Sequence, residues 1–197
     1  MQDHRISRRD VVKTLTLGIS ATSVLSVIPL EAARYVHGAI AQEKSTSGLT
    51  GYQPKFFEPH QWQILRKLCE LIIPPDEKSG GAIEANAPEF IDLLTSENLE
   101  FQTQLGGGLR WIDAYCRNHY QEPFLNCSPE RQKATLGLLA YRKNSTPQIS
   151  QGISFFSLLR NLTVDGFYTS VIGIKDVGYV GNDFMGEFPG CPPFPAD

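Results

Sequence analysis

The sequence predicts an all-α protein, in which a single small helical domain is followed by an irregular C-terminal arm. Apolar residues recur at helical spacing through most of residues 57–173, and no apolar–polar alternation is long enough to predict a strand. Residues 166–197 hold six Gly, six aromatic residues and four Pro, a composition that interrupts regular helices. Four regions are predicted: a leader at 1–41, a flexible lead at 42–56, the helical domain at 57–173 and an extended arm at 174–197.

The N-terminal region has the pattern of an export leader. Arg8 and Arg9 precede a mildly apolar run at 14–30, which contains six Ser or Thr and is too short and polar for a bilayer-spanning helix of about 20 apolar residues. The small residues Ala39–Ala41 follow, as before a signal-peptidase cut, and adjacent arginines indicate the twin-arginine route. Residues 1–41 are therefore predicted to be removed, with an uncleaved anchor and a basic cytosolic helix as alternatives.

Five helices are predicted after the lead, and Pro and Ser residues mark their ends. Pro74 stops the first helix, Pro88 stands in the first turn of the second, and Ser128 caps the fourth with Pro129 behind it. The glycines at 106–108 are predicted to be a break or a close-packing point in the third helix. The five stretches are 62–73, 88–94, 99–119, 128–144 and 153–173.

Composition limits the function classes. Without residues 1–41 the chain has 156 residues, with 13 Lys or Arg and 18 Asp or Glu. This acidic balance excludes a nucleic-acid binder, since phosphate binding needs a basic patch. The length suits one domain with one modest core. No glycine-rich nucleotide motif and no CxxCH haem motif occurs, so no cofactor site is predicted in this chain.

The four cysteines do not form a metal-binding pattern. Cys69, Cys116, Cys127 and Cys191 include no CxxC pair, and zinc and iron–sulfur sites need closely spaced ligands. Cys69 lies among apolar residues and is interpreted as a small buried hydrophobe. In an oxidising periplasm, Cys116 and Cys127 can pair with each other, and Cys191 can pair outside the chain.

The candidate catalytic residues are few. Asp76 and Glu77 stand in the glycine-containing loop "PPDEKSGGA", but an acid–base pair needs two different environments, which adjacent solvated carboxylates do not provide. These acids are interpreted as fixing the loop or meeting a partner, and Asp165 as holding a backbone turn. The alternative is a stand-alone periplasmic hydrolase or lyase using Asp76, Glu77 and His60, although no nucleophile motif accompanies them. No catalytic residue is predicted.

Two stretches of the chain resemble a known family. Leu65–Leu94 contains "IIPPD", then Gly-Gly-Ala and a short helix, and Phe155–Asn182 contains "GFYTS" and "DVGYVGN". With the twin-arginine leader, these motifs resemble the gluconate 2-dehydrogenase subunit 3 family, the small subunit of membrane-bound FAD-dependent sugar and sugar-acid dehydrogenases. The resemblance covers most of 57–190 and is weakest through 97–152.

The resemblance implies an accessory, non-catalytic subunit with no redox group of its own. Its partner would be a large FAD-containing subunit of the glucose–methanol–choline type, which lacks a leader and crosses the membrane folded with this chain. A multihaem cytochrome c often completes such complexes. The expected location is the periplasm, with membrane association through the complex. A folding factor that releases its client after export is the alternative within the same setting.

The C-terminal arm is predicted to be the partner interface. Tyrosine and phenylalanine are residue types that anchor interfaces, and prolines keep a chain extended before it binds. The alternative is that the arm wraps the domain's own helices, and Cys191 is a candidate for an inter-subunit disulfide. The residues predicted to contact the partner are Tyr168, Tyr179, Phe184, Phe188 and Cys191, with Asp76 and Glu77 in a loop at the same interface.

Overall fold

The computed structural model describes residues 29–46 and 51–179, and this part of the chain contains helices and no strand. The predicted all-α class is confirmed. No helix within these two ranges has the length and apolar character needed to cross a bilayer. The seven α-helices are α1 (Leu30–Thr46), α2 (Pro59–Ile72), α3 (Ala87–Glu97), α4 (Leu99–Tyr120), α5 (Pro129–Leu139), α6 (Ser150–Tyr168) and α7 (Val171–Asp176).

The core lies where α3, α4 and α6 meet, with α1 and α2 packed around them. Phe90 and Ile91 of α3, Leu105 of α4 and Leu159 of α6 are fully buried there. Within each helix the buried apolar residues recur at helical spacing, as Leu105 and Leu109 do in α4, so each helix presents an apolar stripe to its neighbours. Burial of these stripes is the main term that stabilises the domain.

Helix α4 runs through its three glycines without a break, so of the two predictions for 106–108 only close packing is right. A Cβ at Gly108 would overlap the ring of Phe155 in α6. A Cβ at Gly152 of α6 would likewise overlap the ring of Trp111 in α4. Each helix therefore accepts an aromatic ring from the other at a glycine. Gly107, by contrast, faces open space.

The predicted helix at 153–173 is in fact two helices, because the chain turns at Ser170. The Ser170 hydroxyl donates to the Phe167 carbonyl at 2.7 Å and accepts from the Gly173 amide at 3.0 Å, which caps α7. A Cβ at Gly173 would collide with the Phe167 carbonyl oxygen. A glycine at this position is therefore needed for the corner to close. The predicted start of the extended arm, at 174, falls inside α7.

The predicted fourth helix also ends earlier than expected. Ser128 does cap α5, and its hydroxyl accepts from the Arg131 amide at 3.4 Å. The helix stops at Leu139 instead of continuing to residue 144. A short 3₁₀ turn follows at Arg142–Asn144, and the Asn144 side chain donates to the Leu138 carbonyl at 2.9 Å, satisfying one of the last carbonyls of α5.

The boundary predicted after Ala41 falls inside α1. Ala33, Val36 and Ile40 lie on the core side of this helix and are buried against the domain, and the helix continues without interruption to Thr46. The first part of the predicted flexible lead is therefore helical, because Gln42–Thr46 extend a helix whose other end is packed.

The last part of the predicted lead is also ordered, because Asp92 binds it. The buried Asp92 carboxylate of α3 accepts from the backbone amides of Lys55, Phe56 and Phe57 at 2.7, 3.1 and 3.2 Å, and from the Tyr52 hydroxyl at 2.8 Å. Four donors on one carboxylate fix this segment to the domain surface. The prediction of a flexible segment was wrong for the residues that the structure describes.

Candidate functional site

The loop between α2 and α3 is folded by its own acid. Asp76 Oδ1 accepts from the backbone amides of Lys78 and Ser79, both at 2.8 Å. These two bonds favour the ionised form, so the pKa of Asp76 lies below its usual range. The Asp76 amide in turn donates to the Ser79 carbonyl at 3.0 Å. Asp76 therefore acts on the loop backbone, while Glu77 is exposed beside it.

The two glycines of this loop allow close approaches. A Cβ at Gly81 would lie 2.6 Å from the Pro75 nitrogen and 2.7 Å from the Ile73 carbonyl oxygen, and backbone atoms cannot move aside cheaply. A Cβ at Gly80 would lie 2.9 Å from Glu84 Cβ, and Ile172 Cδ1 of α7 would be within ordinary contact at 3.8 Å. The loop is thus packed tightly on the end of α2 on one side and adjoins α7 on the other.

An exposed apolar surface surrounds α7. Among the described residues, eight large hydrophobic side chains are exposed, and five of them lie between residues 164 and 179. Single exposed apolar residues are ordinary, whereas a contiguous exposed apolar patch is typical of an interaction surface. We call the following set the C-terminal surface: Tyr168, Val171, Val177 and Tyr179.

Some of the residues predicted to contact the partner lie in the part of the chain that the structure describes. Tyr168 and Tyr179 belong to the C-terminal surface, and the loop that carries Asp76 and Glu77 adjoins α7 through Gly80. The valines of this surface were not predicted from the sequence, because the exposure of an apolar residue depends on which helices pack around it. The predicted residues outside the described part of the chain are Arg8 and Arg9 of the leader and Phe184, Phe188 and Cys191 of the arm.

The structure does not bring together the residues of the hydrolase alternative. His60 stands in the first turn of α2, and Asp76 follows the end of that helix. Helix α2 has 14 residues, so at 1.5 Å per residue its length separates His60 from Asp76 by about 20 Å. The partner of His60 is instead Asp113 of α4, whose Oδ2 lies 3.2 Å from His60 Nε2.

Asp113 is the shared hydrogen-bond acceptor of a small cluster of residues. Its Oδ2 also accepts from Arg117 at 2.9 Å, and its Oδ1 accepts from the Phe124 amide at 2.9 Å. Burial alone would raise the pKa of Asp113, but the Phe124 amide, His60 and Arg117 outweigh it and lower the pKa. The sequence signal available for this cluster was the Asp113–Arg117 spacing of four, typical of a helical ion pair.

Two of the cysteines lie beside each other. Cys116 and Cys127 are both buried and are free thiols. Burial, together with the neighbouring Cys127, raises the pKa of the Cys116 thiol to about 12. The suggested disulfide between them stays a prediction. Cys69 is fully buried, 3.6 Å from the Thr163 hydroxyl, in keeping with its interpretation as a core residue.

Asp165 does not hold a turn. It lies inside α6, four residues before Thr169, whose hydroxyl donates to the Asp165 backbone carbonyl. Burial raises the pKa of its carboxyl group to about 6. The chain stays helical at Asp165 and Gly166, and Gly166 packs closely against Ala87 and Phe90 of α3.

Comparison with known proteins identifies the family. The family model for gluconate 2-dehydrogenase subunit 3 matches residues 59–190. The matched range begins with α2 and includes the acidic loop, the cluster at Asp113 and the C-terminal surface, whereas α1 lies before it. No curated protein and no solved structure matched the chain in the two other comparisons. Since the match spans two thirds of the sequence, the chain belongs to the gluconate 2-dehydrogenase subunit 3 family.

Proposed function

We propose that the chain is the non-catalytic small subunit of an exported FAD-dependent dehydrogenase complex that oxidises a sugar or sugar acid. The large subunit, of the glucose–methanol–choline type, holds the FAD. This chain supplies the twin-arginine leader and stabilises the flavin subunit during maturation and export to the periplasm. A multihaem cytochrome c is the expected electron acceptor within the complex. The observation that carries the proposal is the family match over residues 59–190, since the family is an accessory subunit of a dehydrogenase.

The C-terminal surface is the contact proposed for the flavin subunit. It combines two half-exposed tyrosines with two exposed valines, and an apolar centre with tyrosine anchors is the usual composition of a stable interface. The adjoining loop supplies a polar edge through Glu77. Because the loop and α7 are both fixed by backbone hydrogen bonds, this surface needs little ordering when a partner binds.

The test uses two matched substitutions. Val171 and Leu99 are each the first residue of a helix, directly after a capping side chain, and their exposed fractions are 83% and 78%. An aspartate at either position suits the helix dipole, so neither Val171→Asp nor Leu99→Asp should unfold the domain. Only Val171 belongs to the C-terminal surface.

Each variant is co-expressed with the large flavoprotein of its genomic neighbourhood, which carries the affinity tag. We expect the unaltered chain and Leu99→Asp to be recovered at equal stoichiometry with a yellow subunit, and Val171→Asp to be recovered at least tenfold less, since a charge in an apolar contact costs more than about 1.4 kcal/mol. Equal recovery of both variants would exclude this surface as the contact. Absence of any complex, with the flavoprotein still exported only when this chain is present, would favour the folding-factor alternative.

A further inference from the structure

The helix that contains the predicted cleavage site is bound to the domain by its apolar side. Val36 and Ile40 of α1 are each only 1% exposed, and Ala33 is fully buried. Their spacing of three and four residues places them on one stripe of the helix. They belong to the same core cluster as Phe90 and Ile91 of α3. All three apolar contacts lie before the bond between Ala41 and Gln42.

Polar contacts hold the same helix on both sides of that bond. Before it, the His37 ring stacks on Phe90 at a centroid distance of 5.2 Å, and its Nε2 lies 3.0 Å from the Thr169 hydroxyl. After it, Lys44 Nζ forms an ion pair with the buried Glu89 carboxylate at 3.0 Å. The two sets of contacts are joined by continuous helix across the predicted cut.

A cut after Ala41 would damage the domain. It would expose the apolar surface of α3 that Val36 and Ile40 cover. It would also leave Gln42–Thr46 as a remnant of five residues, which is too short to remain helical alone. The Lys44–Glu89 ion pair would lose the helix that positions it, and a buried carboxylate with weakened pairing is costly.

The order of events on the export route also disfavours this cut. The twin-arginine route carries folded proteins, so α1 is already docked when the chain reaches a peptidase. Proteases cut segments that are extended or transiently opened, whereas the Ala41–Gln42 bond, although its side chains face outward, lies within a continuous helix whose other side is docked on the domain. The small residues Ala39–Ala41 thus match a cleavage pattern by composition but not by conformation.

We propose that α1 is a permanent part of the mature domain, and that any removal of the leader takes place on the N-terminal side of Leu30. The inference rests on the proposed export for its processing step, but the docking of α1 concerns the domain itself. The leader then comprises fewer residues than the predicted 1–41, and the mature subunit includes a helix that precedes the family-matched range.

The first experiment locates the N-terminus. The full chain is co-expressed with its flavoprotein in a host with an active twin-arginine system, and the periplasmic protein is analysed by intact mass and N-terminal sequencing. We expect a first residue at or before Leu30, and an unchanged first residue in Ala41→Leu, which removes the small side chain that signal peptidases require. A first residue after Leu30, or cleavage blocked by Ala41→Leu, would overturn the proposal.

The second experiment separates this inference from export itself. Chains beginning at Pro29 and at Gln42 are expressed in the cytoplasm beside the full chain, and their thermal unfolding is compared. We expect the Pro29 chain to melt with the full chain, and the Gln42 chain to be insoluble or to melt at least about 10 °C lower. Equal melting of all three would overturn the proposal. A chain that is not exported but shows this difference would count against the proposed export alone.

Point variants give a readout that does not depend on truncation. Val36 faces the core and Ala41 is exposed on the same helix. In the full chain we expect Val36→Asp to lower the melting temperature by about 10 °C and Ala41→Asp to change it by less than about 2 °C. Similar small effects of both would show that α1 is not docked.

Discussion

The helices at the two ends of the described chain both lie near the end of α6, but one buries its apolar residues and the other exposes one. At the N-terminal end, α1 turns its apolar stripe inward and contacts Thr169 through His37. At the C-terminal end, α7 begins just after Thr169 and turns Val171 outward. Two neighbouring segments thus differ in where their apolar residues lie: Ala33, Val36 and Ile40 of α1 complete the core, whereas Val171 of α7 is exposed to solvent.

The largest effect is expected at Asp92 of α3, which binds the segment between α1 and α2. Asp92→Ala removes the acceptor of three backbone amides and the Tyr52 hydroxyl. Hydrogen bonds to a charged group contribute about 1.5–3 kcal/mol each and do not add fully, so we expect a loss of about 4 kcal/mol in unfolding free energy by urea denaturation. A loss below about 1 kcal/mol would show that these hydrogen bonds contribute little to the stability of the fold.

The next effect concerns the corner that places α7. Gly173→Ala puts a methyl group against the Phe167 carbonyl, and overpacking of this kind costs about 1–3 kcal/mol. We expect a destabilisation of about 2 kcal/mol, together with weaker recovery of the flavin subunit, because α7 must shift. The matched control is Gly107→Ala, which faces open space in α4 and should stabilise the protein by about 0.5–1 kcal/mol. If both variants behave alike, the corner does not depend on the glycine.

The two ends should also respond to pH in opposite directions. Burial lowers the pKa of His37, so the folded state binds this proton less readily and the stabilisation at the N-terminal end is lost as pH falls below about 6.5. Burial raises the pKa of Asp165 to about 6. The stabilisation there is complete below about pH 4 and is lost as pH rises towards 6.

Two substitutions test this opposition. We expect His37→Gln to flatten the acidic limb of the melting-temperature profile below about pH 6.5, because the lowered pKa of His37 no longer contributes to it. Asp165→Asn should raise stability at pH 7 by about 1 kcal/mol, less than the full shift implies, because part of the carboxylate faces water. An unchanged profile in Asp165→Asn would show that its carboxyl group titrates normally.

The smallest effect is expected in the acidic loop. Asp76 accepts hydrogen bonds from two backbone amides, whereas Asp92 accepts from three. Asp76 is also exposed, so water can replace the bonds that its removal breaks. Asp76→Ala should change the melting temperature by no more than about 2 °C. Recovery of the flavin subunit is the informative measurement for this variant: a loss of complex without a loss of stability would place the loop within the interface.

More of the fold than of the exposed surface could be predicted from the sequence. Ser128 and Pro74 marked helix ends by local chemistry, which acts within one turn and can be recognised without the rest of the molecule. The stripe of Ala33, Val36 and Ile40 was present too, but the leader pattern of small and apolar residues overlaps it. The His60–Asp113 contact joins residues 53 positions apart, and such pairs depend on how the helices are arranged in space.

The exchange of rings between α4 and α6 has a mechanical consequence. Gly108 receives Phe155, and three residues later Trp111 reaches Gly152, three residues earlier on the other helix. This numbering means that the two longest described helices run antiparallel, and two interlocked rings prevent both rotation and sliding between them. Movement of α4 against α6 would therefore require both rings to leave their glycine positions at the same time.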